Sequence, residues 1–185
     1  MLVLPGSPAL SNARFQLLAA EIAALGGDWQ LREVVYAYAV DLRAQESVDT
    51  ARLAALLQPG TVAIADASAL TRPGQRIVMP RLGTISPWSS KATDIARNCG
   101  FVQVQRVERV MVVGIDGLRS GDDCSALDAV IHDRMVETVV DAIDAVAALF
   151  DRTEPATYTE IDLLGQGQQA LEAANAQLGL ALIDD

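Results

Sequence analysis

One stretch, PRLGTISPWSSKATDIARNCG at residues 80–100, gathers side chains suited to meeting an anion: Arg81, Thr84, Ser86, Ser89, Ser90 and Lys91, followed by Asp94. Ser86-Pro87 reads as a helix start. The serine hydroxyl is suited to accept the backbone N–H of Ser89, and proline is at home in the first turn. Ser89, Ser90 and Lys91 then lie near the positive end of the helix dipole, with Arg81 and Thr84 just upstream, a setting that could hold an oxyanion or a phosphate. Pro87 removes one N–H, however, and no glycine-rich phosphate cradle is present. Capping and anion contact both stay open.

Covalent chemistry fares worse. In an S-x-x-K motif the serine stands three residues before the lysine, and here that position is Trp88. Adjacent Ser90 and Lys91 point to different helix faces. Asp94, three after Lys91 and three before Arg97, suits a helix-surface ion pair. His132, four after Asp128, reads as a solvated or interface histidine. Cys99 and Cys124 lack CxxC spacing, and with a single histidine the chain has no structural zinc set. The residues by themselves give no catalytic machinery and no metal site.

The elements that position this segment follow from periodicity. Residues 2–4 form a short strand. Phe15, Leu18, Ile22 and Leu25 mark a helix stopped by Gly26-Gly27, residues 32–42 a strand, and 50–57 a helix closed by Pro59-Gly60. The order then restarts. Residues 76–80 form a strand, and Trp88, Ala92, Ile95 and Cys99 give the apolar stripe of the next helix. FVQVQ and RVERVMVVGID supply extended chain, and a long helix is expected over 125–150 with Leu127, Ile131, Met135, Val139, Ile143 and Val146 on one side. The halves are offset by about 75 positions, with VDLR at 40–43 echoed by IDGLR at 115–119. The expected fold is α+β: two pseudo-twofold-related lobes, about 1–60 and 75–150, each an antiparallel or mixed sheet covered by helices. Residues 151–162 read as a polar linker. Residues 163–185 read as a helical segment ending in an apolar run, which suggests a chain cut from something longer.

Composition sets the outer bounds. The 185 residues are 51% hydrophobic but 4% aromatic, so the core is aliphatic. A formal charge of −10 argues against nucleic acid and anionic membrane surfaces as partners. No apolar run approaches the ~18 residues of a membrane span. Lone thiols fit a reducing, cytoplasmic setting.

The 80–100 block closely resembles the N-terminal region of the formylglycinamide ribonucleotide amidotransferase (phosphoribosylformylglycinamidine synthase) family, in its long single-chain form. GSPALS at 6–11, RVER at 106–109, IHDRMVET at 131–138 and DLLGQGQQALEAANAQLGLAL at 162–182 agree in order. Leu82, Arg97 and Val110 depart from the family pattern, whereas Arg81, Thr84, Ser86, Ser89, Ser90, Lys91 and Asp94 match it.

The resemblance implies a parent enzyme that uses ATP, Mg and glutamine to turn formylglycinamide ribonucleotide into the amidine, in purine biosynthesis. This chain would be its non-catalytic N-terminal assembly domain over 1–150, with the helical linker domain opening at 163 and no cofactor of its own. Its implied partners are the downstream synthetase and glutaminase domains, with the ribonucleotide near Arg81, Ser89, Ser90 and Lys91. Two other expectations compete. One is a free-standing anion- or nucleotide-binding module using the same helix start; the other is a self-assembling structural protein driven by the apolar 171–182 helix.

Overall fold

A computed structural model of the chain describes residues 1–43, 47–58, 67–151, 157–158 and 160–182. Pro59-Gly60 and part of the expected linker (152–156 and 159) lie outside the described residues. The elements in chain order are β1 (Leu2–Pro8), α1 (Asn12–Ala24), β2 (Gln30–Leu42), α2 (Thr50–Leu57), a 3₁₀ turn (Ala67–Leu70), β3 (Gln75–Pro80), α3 (Pro87–Asn98) and β4 (Val104–Asp116). Then come α4 (Ser125–Ile131), β5 (Glu137–Val140), a 3₁₀ segment (Ile143–Phe150) and α5 (Leu163–Leu178). Residues Met1–Arg152 form one compact unit and Thr153–Asp185 another.

The first unit is α+β, with a five-stranded antiparallel sheet in the order β1-β2-β4-β3-β5. The first four strands read alike from either half: each half supplies an outer strand, a helix and a long inner strand. The two inner strands pair from Gln30↔Asp116 to Leu42↔Val104. The expectation of a separate sheet in each lobe is corrected: the two halves share a single sheet within one compact unit, with their seam between β2 and β4. VVYAYAV and VMVVGI are near-continuous apolar runs because both sheet faces are covered. One face sets Val35, Ala37, Ala39, Ile77, Met79, Val110 and Val112 against Leu70, Val146 and Leu149. On the other, Val34, Val113 and Ile115 meet Ile22, Leu127 and Ile131, while Tyr38, Val40, Val104 and Val107 meet Leu53, Leu57, Ala92 and Ala96.

The long helix expected over 125–150 is not there. It breaks into α4, the short strand β5 and a 3₁₀ segment. The apolar spacing is compatible with a helix, but Val136, Thr138, Val139 and Val140 are β-branched and suit extended chain. β3 supplies the deciding demand. Its Ile77, Val78 and Met79 are buried, and β5 covers its otherwise open edge through Ile77↔Val140 to Pro80↔Glu137.

In the second unit, Asp162 caps α5 by accepting the Gly165 N–H at 2.8 Å, and the helix kinks at Gly167. After Gly179, the Asn175 side-chain amide pairs with the Leu182 backbone in both directions, at 3.2 and 3.0 Å. Ala174 is buried, whereas Leu163, Leu164, Leu171 and Leu178 are exposed.

Candidate functional site

The helix start forms as its residues dictate. Ser86 caps α3, its hydroxyl accepting the Ser89 N–H at 3.0 Å, and Pro87 occupies the first turn. The same hydroxyl donates to Glu108 Oε2 at 2.9 Å, and the Ser86 N–H donates to Glu108 Oε1 at 3.3 Å. Glu108, on β4, is 0% exposed. Its charge is met by Arg106, which donates Nε at 3.1 Å and Nη2 at 2.5 Å to Oε1. Arg106 also donates to the Thr84 carbonyl at 2.7 Å and the Leu149 carbonyl at 2.8 Å. One guanidinium and one carboxylate thus tie the 81–86 turn, α3 and the last 3₁₀ segment to β4.

The reason lies in the sheet. β3 pairs with β4 from Gln75↔Gly114 to Val78↔Met111, so the first half of β4 has no strand on that side. α3 supplies the missing partners. Thr93 Oγ1 accepts the Val107 N–H at 3.0 Å, and Arg97 donates to the Val104 and Gln105 carbonyls at 3.0 and 2.6 Å. Unpaired backbone groups at a covered edge are costly, which explains why a polar helix face turns inward. The expected stripe is therefore corrected. Ser89, Ala92, Thr93 and Ala96 are buried and Trp88 is half-buried, whereas Ile95 is 53% exposed and Cys99 is exposed. Arg97 serves β4 rather than Asp94, and the described residues show no ion pair at Asp94.

The seven candidates thus divide. Arg81, Thr84, Ser90, Lys91 and Asp94 are exposed; Ser86 is half-buried in capping work; Ser89 is fully buried, its hydroxyl without a partner among the described residues. Thr84 Oγ1 donates to the Arg81 carbonyl at 2.6 Å. The Arg81 N–H donates to the Val136 carbonyl at 3.1 Å, joining the 81–86 turn to the turn before β5. These two turns expose Leu82 and Ile85 on one side and Met135 and Val136 on the other. His132 is half-buried, with Nδ1 against the Asp128 carbonyl.

Sequence reasoning missed the strand residues behind this surface. Arg109 lies with its guanidinium 4.3 Å from the Tyr36 ring centroid and 5.0 Å from that of Trp88. Trp88 stacks on Tyr38 at 5.7 Å. Burial raises the Tyr38 phenol above its usual range, and the Arg109 charge pulls it back. The available signal was the RVER string itself: three charges, Arg106, Glu108 and Arg109, interrupting an otherwise apolar strand, the last two adjacent and so on opposite faces. At the far end of β3 lies a second cleft, about 680 Å³, where buried Arg76 meets Asp128 through Nε at 2.8 Å and Nη2 at 2.5 Å and also pairs with Asp141. Among the described residues, no three His, Cys, Asp or Glu side chains are grouped to hold a metal ion. No described helix is long and apolar enough to cross a membrane.

Ser86→Ala is expected to cost about 1–2 kcal/mol, because it removes a cap and a bond to a buried carboxylate. Ser11→Ala removes the cap of α1, an exposed 3.4 Å contact to the Arg14 N–H, and is expected to cost less. Urea unfolding of both variants checks the order.

These features define an α+β domain of two strand–helix–strand halves, carrying a surface of charged and hydroxyl side chains at one helix start. Residues 35–150 match the family model described as formylglycinamide ribonucleotide amidotransferase N-terminal. The chain belongs to that family, the N-terminal domain of an amidotransferase of purine biosynthesis.

Proposed function

We propose that this chain is the non-catalytic assembly domain of the amidotransferase, docking on the synthetase domain to cover its active site and help seal the path of ammonia from the glutaminase domain. One observation carries this reading. Three of the five stretches that carry the family likeness, residues 80–100, 106–109 and 131–138, meet at a single rim through Ser86–Glu108, Arg106–Thr84 and Arg81–Val136. At that rim the exposed groups are Arg81, Ser90, Lys91 and Asp94 beside apolar Leu82, Ile85, Met135 and Val136. A mixed apolar and cationic surface suits contact with a protein or an anionic ribonucleotide. ATP and Mg are assigned to the synthetase domain. The chemical need is clear: ammonia in neutral water is mostly protonated and not nucleophilic, and enclosure also protects reactive intermediates.

The test is Arg81→Ala and Lys91→Ala in the whole amidotransferase. Each is expected to lower glutamine-dependent turnover or raise the KM for formylglycinamide ribonucleotide by about tenfold, the scale of one charge-assisted contact. Unchanged turnover and KM in both variants would remove the covering role.

A further inference from the structure

Four arginines of the described chain are buried or half-buried: Arg32, Arg76, Arg106 and Arg109. Three meet carboxylates, Arg32 at Asp116 and Glu33, Arg76 at Asp128, and Arg106 at Glu108. Arg109 has no hydrogen bond and no ion pair among the described residues. Its guanidinium carbon lies over the Tyr36 and Trp88 rings, so cation–π contact holds the group in place and leaves its five N–H donors free of any protein partner among the described residues. Arg109 borders a groove of about 220 Å³ on the sheet face, whose lining includes Tyr36, Val78, Ser86, Trp88, Met111 and Glu137.

We propose that this groove is a seat for a carboxylate side chain of a partner polypeptide, taken by Arg109 as a forked ion pair. Three observations select this occupant. A fork of N–H donors matches the two oxygens of a carboxylate. The volume falls below the roughly 300–1,000 Å³ of small-molecule sites, so it suits one side chain better than a nucleotide. Glu137, whose Oε2 accepts the Asp133 N–H at 2.9 Å, borders the same groove and disfavours a doubly charged phosphate. A peptide loop presenting Asp or Glu beside its own backbone N–H groups would satisfy both Arg109 and Glu137. The inference rests on the docking role above and names the contact that role would use.

The test begins with the 185-residue chain, following the Trp88 indole N–H by NMR. Ac-Gly-Glu-Gly-NH2 is expected to shift this resonance saturably, with about tenfold tighter apparent affinity than Ac-Gly-Gln-Gly-NH2, the difference of one charge-assisted pair. The preference is expected to vanish in Arg109→Gln and survive in Arg81→Gln. Arg109→Lys, which keeps the charge without the fork, is expected to fall between them, and serves if Arg109→Gln does not fold. Equal response to the two peptides overturns the seat, as does tighter binding of inorganic phosphate than of the Glu peptide. In the whole amidotransferase, Arg109→Glu is expected to impair turnover and to be rescued by arginine at one acidic position of the synthetase domain; failure of every such replacement overturns the assigned partner. A positive peptide titration with inert Arg81 and Lys91 variants keeps the seat and discards the covering role, so the two failures are distinguishable.

Discussion

Glu108→Ala is expected to destabilise the first unit by about 3–5 kcal/mol, the cost of stranding one member of a buried ion pair. For a chain of this size that corresponds to a melting temperature lower by about 10 °C. The carboxylate accepts four hydrogen bonds, two from Arg106 and two from Ser86, and it is fully buried. Its loss leaves the Arg106 guanidinium short of its anion and frees the start of α3. Glu108→Gln keeps shape and one acceptor oxygen but no charge, and is expected to cost less than alanine. Arg106→Ala should approach the Glu108→Ala value. The double change Arg106→Met/Glu108→Leu should cost less than the sum of the two alanine variants, since neither charge is then left alone. Calorimetric melting of the set checks this, and strict additivity would rule out the buried pair as the cause. Because Glu108 holds Ser86, the alanine variant should also disturb the surface at Arg81 and Lys91 without touching either residue.

How much of this was legible in sequence depends on how local each cause is. The cap at Ser86-Pro87 involves neighbours three residues apart, and it stands as read. So does the doubled strand–helix order, because apolar runs and glycine stops repeat within each half. The inward face of α3 was illegible. Thr93 and Arg97 turn toward β4 because β3 stops pairing at Val78, a fact of strand length and register rather than of α3's own composition. Hydrophobic spacing favours Ile95 over Thr93 as a core residue; a backbone N–H at Val107 in need of an acceptor reverses the choice. The misread helix over 125–150 has the same origin. The spacing of Leu127, Ile131, Met135 and Val139 satisfies a helix, and only the open edge of β3 decides for a strand. Glu108 is the extreme case: its burial depends on Arg106, Ser86 and the path of the 81–86 turn at once, and a lone Glu in a strand announces none of them.

Gly74→Ala is expected to destabilise the first unit by about 3 kcal/mol, combining left-handed strain with a clash that backbone must relieve. Gly74 has φ +71°, and a Cβ placed there would lie 2.4 Å from the Ile115 carbonyl oxygen. The neighbourhood cannot yield cheaply, because the Gly74 carbonyl accepts the Ile115 N–H at 2.7 Å and so fixes the distance between the two backbones. Gly26 provides the control. It has φ +84° with nothing within 4 Å of the added methyl, so Gly26→Ala meets the conformational cost alone, about 1 kcal/mol. The difference between the two variants in urea unfolding isolates the close approach. It should come with faster amide exchange at Ile115 and at Arg76, the first residues of the β3–β4 ladder to loosen. Equal destabilisation at both glycines would mean that φ alone decides, and that the entry of β3 beside β4 is looser than the 2.7 Å bond implies.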